Sequence, residues 1–192
     1  RIESMGFYSF LFGRNKLKKP KREQFFSIVG AAATVEERAG LSFSHNAGVL
    51  FSPVDSLFFE ELDREIRDLL KISSLSTNTK YQILDDSLGS RWVAFEDKDF
   101  EDLVEFAHIV NETFIDHGYG DRLIASVFGF FFQNNNAYWI YLPKRGKFYP
   151  LVFDNQNKRD HQLEFRLANI MEQENIEVEK PDKWYPLTGI PF

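Results

Sequence analysis

Residues 137–154 read AYWIYLPKRGKFYPLVFD. Two aromatic, β-favouring runs flank the cationic group Lys144, Arg145, Gly146 and Lys147. Such runs on either side of a short polar segment form a β-hairpin, and Gly146 suits a turn position of positive φ. Strands this aromatic must be buried on at least one face. That requirement sets the class of the domain.

Working outward, residues 123–133 form another strand, followed by a polar turn at 134–136 and a strand at 137–142. Residues 81–84 and 92–95 are strands around a turn at 85–90 that contains Gly89, and AGVLFS at 47–52 is a strand ended by Pro53. A first helix covers 23–33, with Phe25, Phe26, Ile28 and Val29 apolar, and extends through 34–38 towards a stop at Gly40. A second starts at a cap on Asp55 or Ser56 and runs through Lys71, with Leu57, Phe58, Leu62, Ile66, Leu69 and Leu70 at helical spacing. A third, capped by Asp97 or Asp99, carries Phe100, Leu103, Val104, Ala107, Val110 and Phe114 and stops at Gly118. Asp160 caps the last, with Leu163, Phe165, Leu167, Ile170 and Met171. The tail 176–192 contains Pro181, Pro186 and Pro191, so it is extended, pinned by Trp184, Tyr185 and Phe192. Short connections between strands favour antiparallel pairing. The expected class is α+β: a sheet of about five or six antiparallel strands covered by helices on one face.

The chain has 192 residues, 43% hydrophobic and 16% aromatic with 21 Phe, a composition that fits a single folded domain over 23–192. A chain of this size buries roughly 70% of the surface it exposes when unfolded. No apolar run reaches the ~18 residues that span a bilayer. The absence of cysteine removes disulfides, zinc–thiolate sites and thiol catalysis. Together with an opening that does not resemble a secretory signal, it points to the cytoplasm. Residues 1–4 read as an extension before a natural start at Met5.

Charge is unevenly distributed. Seven of the 23 bases and one of the 29 acids precede Glu23, leaving 16 bases and 28 acids, a net of −12. The chain is an acidic body with a basic aromatic arm, residues 1–22. An acidic body disfavours nucleic acid as a ligand. In the arm, Phe7, Phe10 and Phe12 precede Arg14, Lys16, Lys18, Lys19, Lys21 and Arg22. That pattern suits an anionic membrane surface, at the inner face of the cell membrane; packing on protein is the competing reading.

Catalytic signatures do not emerge. His45, His108, His117 and His161 lack metal-ligand spacing, and no cofactor is implied. Ser9 and Ser126 lack a nucleophile elbow, and no phosphate-binding glycine loop occurs. Asp85 and Asp86 fit a solvated Asx turn. The acids Glu96, Asp97, Asp99, Glu101 and Asp102 fit a helix N-terminus. The sequon Asn111-Glu112-Thr113 falls inside a helix. Lys144, Arg145 and Lys147 read either as a site for phosphate or an acidic partner, or as a solvated turn. The expectation is a non-enzymatic protein, with an unrecognised enzyme or small-ligand-binding domain as the alternative; self-association stays open.

MGFYSFLFGRNKLKKPK, AGVLFSPVD, GSRWVAFED, YWIYLPKRGKFYP and KWYPLTGIPF occur in this order. Together they resemble the phage-shock-protein-A-associated family PspAB over nearly the whole chain from Met5. The chain departs at Thr188, where that family often has a second Trp. The resemblance implies a partner, the membrane-coating coiled-coil protein PspA, and a role in the envelope-stress response, without enzymatic activity or cofactor. The element order is also similar to small domains of the type III secretion chaperone and YbjN kind, which bind other proteins.

Overall fold

The computed structural model describes residues 22–52, 57–75, 77–86 and 89–192. Its elements are α1 (Arg22–Ala39), β1 (Leu41–Phe51), α2 (Leu57–Ser74), β2 (Lys80–Asp85), β3 (Arg91–Glu96), α3 (Phe100–Asp116), β4 (Leu123–Phe132), β5 (Asn135–Leu142), β6 (Lys147–Phe153) and α4 (His161–Gln173). The strands form one antiparallel six-stranded sheet in the order β2-β3-β1-β4-β5-β6. The fold is α+β, as expected. The arm residues Phe7, Phe10, Phe12, Arg14, Lys16, Lys18, Lys19 and Lys21 lie outside the described residues, as do Asp55 and Ser56.

Alternation along the strands sends apolar side chains to both faces. Val49, Phe51, Val93, Phe128, Phe130, Phe132, Trp139, Tyr141 and Phe148 point to the helix-covered face. α1 is anchored there by Phe25, whose ring stands edge-on to Tyr141 at 4.8 Å and to Phe128 at 6.0 Å. α3 lies beside it on Leu103, Val104, Ala107, Val110 and Phe114, all fully buried. Asp99, not Asp97, is its N-cap, accepting from the Glu101 N–H at 2.9 Å. Asn111 donates to Ser126 Oγ at 2.8 Å, so the sequon asparagine and this serine are core residues.

The opposite face is as apolar: Leu50, Trp92, Val127, Tyr138, Ile140, Tyr149 and Leu151 are buried there. The C-terminal tail covers it. Trp184, Leu187, Ile190 and Phe192 pack on these side chains. Tyr138 and Tyr149 donate their hydroxyls to the carbonyls of Phe192 (3.1 Å) and Tyr185 (3.0 Å). Burial raises the pKa of the Tyr149 hydroxyl, which keeps it a donor. Trp184 and Phe192 pin the tail as expected. Tyr185 does so through its backbone only, since its ring is 55% exposed. Residues 177–179 bridge to Phe148 along the outer edge of β6. That protects one sheet edge from pairing with another chain, and β2 forms the other edge.

Two boundaries and one burial pattern differ from the sequence reading. β1 begins at Leu41 rather than Ala47 because the polar stretch LSFSHN pairs with the end of β4 through a bulge. His45, at φ 65°, sits at that irregularity. The β4–β5 turn is the pair Gln133 and Asn134, both at positive φ (51° and 63°), so Asn135 and Asn136 belong to β5. In α2, Ile66 and Leu70 are buried but Leu57 is 83% exposed.

Gly48 marks where the tail closes on the sheet. A Cβ there would lie 3.0 Å from the Phe192 ring and 3.0 Å from the Val93 carbonyl oxygen. Gly48→Ala should therefore destabilise the protein by about 1–3 kcal/mol, read by urea unfolding. Combined with Phe192→Ala, the two costs should add to less than their sum, because the ring that the methyl meets is gone. Full additivity would place the strain on the Val93 carbonyl instead of the tail.

Candidate interaction sites

The β5–β6 hairpin places the three expected tip residues in different situations. Residues 143–146 form the loop, with the N–H groups of Arg145 and Gly146 donating to the Leu142 carbonyl at 3.0 and 2.8 Å, and Gly146 at φ 67°. Lys144 is exposed and Lys147 half-buried. Arg145 turns back on the protein: its Nε donates to Glu179, a side chain only 2% exposed. Glu179 also accepts from the Lys180 N–H at 2.8 Å. The Arg145 hydrogen bond, reinforced by that N–H and the charge of Lys147, holds the Glu179 carboxyl below its usual 4.5 despite burial. The sequence reading did not single out Glu179. Its only signal was an acid beside the tail motif.

A second buried carboxylate, Glu164, was missed for the same reason. It accepts from Arg159 Nε at 2.6 Å, from the Val152 N–H at 3.2 Å and lies 3.1 Å from His161 Nδ1. Arg159 also donates to the Trp184 carbonyl at 3.0 Å, tying α4, β6 and the tail together. The remaining histidines serve separate contacts. His117 bridges the Thr113 carbonyl (2.9 Å) and Glu65 (2.8 Å), and His108 packs on the rings of Phe25 and Phe26. Asp86 caps its turn by accepting from the Ser90 N–H at 3.0 Å, and Asp85 pairs with Arg91 at 2.6 Å. Among the described residues no three His, Asp or Glu converge on a point that could hold a metal ion, and no helix is long and apolar enough to cross a membrane. Arg22, the one arm residue described, is exposed, with its guanidinium 5.0 Å from the centre of the Phe26 ring.

An open groove of about 350 Å³ lies between α1, the start of β1 and the start of α3. The β1 bulge creates it by presenting Phe43 to Phe100, ring centres 4.8 Å apart, with Phe130 beneath both at 5.9 and 5.5 Å. Val29 and Leu41 complete an apolar floor. Glu36, Asp99 and Glu101 stand at its rim with Lys98 and His45. Asp102 nearby has its pKa raised from 3.8, first by burial, then by repulsion from Asp99, Asp97, Glu105 and Glu101. This end of the molecule is therefore strongly negative. Nothing in the sequence reading singled out the groove.

The hairpin and the tail that packs behind it are the segments KRGKFYP and WYPLTGIPF. With their geometry in place, a comparison with protein families is informative: the family model of PspA associated protein B matches residues 5–192. The chain belongs to the PspAB family. No curated protein matches it, and neither does any solved structure. In this PspAB protein both family-like segments have visible structural roles, one as the hairpin whose Arg145 reaches Glu179, the other as the cover of the sheet. Thr188, the departure from the family pattern, is exposed.

The sign of the Glu179 shift sets a pH test. A carboxylate whose folded pKa lies below its unfolded value contributes stability above that unfolded value, and the contribution is lost as pH falls through the folded pKa. Arg145→Gln should lower the urea midpoint at neutral pH and flatten the loss of stability between about pH 5 and 3. An acid limb parallel to that of the parent protein would show that the pair contributes nothing to folding.

Proposed function

We propose that this protein is a non-enzymatic cytoplasmic adaptor that binds a PspA-like coiled-coil protein in the membrane-stress response. The observation that carries the reading is the match of residues 5–192 to a family described by its association with PspA. The hairpin tip supports it as a contact surface. Lys144 is exposed in the hydrogen-bonded loop between β5 and β6, where it is accessible to an acidic partner. Arg145, committed to Glu179, acts as the support of the tip.

Binding of the purified chain to the PspA-like protein of its own host, followed by calorimetry, tests the reading. Lys144→Glu should weaken binding several-fold while leaving the unfolding midpoint in place. Arg145 is left intact so that Glu179 keeps its partner. Undiminished affinity would remove the tip from the interface. Absence of any binding by the folded chain would remove the adaptor reading.

A second reading rests on the arm sequence, where six bases from Arg14 to Arg22 follow Phe7, Phe10 and Phe12 without an intervening acid. Each base contributes about 1 kcal/mol near an anionic leaflet. Sedimentation with phosphatidylglycerol vesicles should show binding that falls as salt rises and is absent with phosphatidylcholine vesicles. Equal binding to both lipids would refute an electrostatic attachment.

A further inference from the structure

The groove between α1, β1 and α3 has a definite chemical preference. Its floor is aromatic, and two of the rings that line it, Phe43 and Phe100, are only half-buried. Its rim carries Glu36, Asp99 and Glu101 beside Lys98 and His45, with Asp97, Asp102 and Glu105 adding to the negative field. Its volume of about 350 Å³ falls in the range of ~300–1,000 Å³ typical of ligand sites. An anionic ligand would be repelled here. The fitting occupant presents apolar, preferably aromatic, side chains to the floor and cations to the rim.

One segment of this chain has that composition. Residues 7–12 are FYSFLF, and Arg14, Lys16, Lys18 and Lys19 follow. The chain enters the described part at Arg22, the start of α1, and the groove is lined by Val29 to Glu36 of the same helix. At 1.5 Å per residue those positions lie about 10–21 Å along the helix from its start. The ten residues from Phe12 to Arg22 can span up to about 33 Å when extended. The aromatic segment is therefore long enough to return along α1 to the groove.

We propose that the groove is the docking site of the chain's own N-terminal segment, with residues 7–12 over the Phe43, Phe100 and Phe130 floor and the bases from Arg14 to Lys19 facing Glu36, Asp99 and Glu101. The inference does not depend on the adaptor reading. Its consequence is competition. Aromatic side chains held in the groove are not available to a bilayer or a partner, so any ligand of the arm must displace it from the body. The apparent affinity of that ligand is then lowered by the fraction of molecules in which the groove is filled.

The full chain carrying the photo-crosslinking residue benzoylphenylalanine in place of Phe10 tests this. Equal amounts of light and heavy isotope-labelled chains are mixed at low concentration, irradiated and digested, and the linked peptides are identified by mass spectrometry. The expected result is linkage within one chain to peptides containing Val29, Phe43 or Phe100. Glu36→Lys, an exposed change, should reduce that yield several-fold, as should high salt. Linkage only between light and heavy chains would overturn docking in cis and assign the groove to a second copy. Linkage to other parts of the body, or no linkage to the groove peptides, would overturn the proposal altogether.

Discussion

The whole structure depends on a sheet whose central strands are apolar on both faces. In β5, Trp139 and Tyr141 are buried towards the helices while Tyr138, Ile140 and Leu142 are buried on the other side. Each such side chain is worth about 1.5–3 kcal/mol when removed from water. Leaving either face uncovered would forfeit a large share of the folding free energy. Helices α1 and α3 cover one face, and the extended tail, with Ala168 of α4, packs on the other. Ordering an extended segment costs about 1–2 kcal/mol per residue, and Pro181, Pro186 and Pro191 reduce that cost by restricting the unfolded chain. The tail's carbonyls at Trp184, Tyr185 and Phe192 find donors in Arg159, Tyr149 and Tyr138, so it satisfies backbone groups without forming a strand.

Two buried carboxylates fix where the tail begins and how it crosses. Glu179 ties the hairpin loop to the point where the chain leaves the β6 edge, and its own carbonyl accepts from Trp184 Nε1 at 2.8 Å. Glu164 gathers Arg159 and the Val152 N–H. Isolated buried charges would be too costly to keep. With their donors in place they favour one arrangement of loop, helix and tail over alternatives that would leave a charge unpaired. This explains why a cationic hairpin tip is not simply a solvated turn. Arg145, though partly exposed, is tied to Glu179, and Lys144 beside it is free to face solvent.

Much of the architecture was legible because it rests on local periodicity. The alternation of β4 to β6, the helical spacing of α3 and the Asp160 cap, which accepts from the Leu163 N–H at 3.0 Å, are written in short stretches of residues. The first half of β1 was not legible, because LSFSHN has neither pattern until the end of β4 pairs with it across a bulge. The Gln133–Asn134 turn was misplaced because a run of four amide residues offers several two-residue loops, and only the Phe132–Asn135 register selects one. Glu164, Glu179 and the groove were invisible for a common reason. Each is made by elements distant in sequence, and nothing local distinguishes a glutamate that will be buried from one that will be solvated.

The charge distribution bears on what kind of work the protein can do. Several of its titratable groups hold elements together, as with His161 and Arg159 on Glu164, Arg145 on Glu179 and His117 on Glu65. The groove instead sets carboxylates that repel one another around a ring-lined floor. Mutual repulsion among Asp97, Asp99, Glu101 and Asp102 is partly offset by the α3 N-terminus, whose positive dipole end lies beneath them, but the offset fades within a turn. What remains is a standing attraction for cations attached to apolar groups. That is a chemistry suited to a peptide that carries bases beside aromatic side chains.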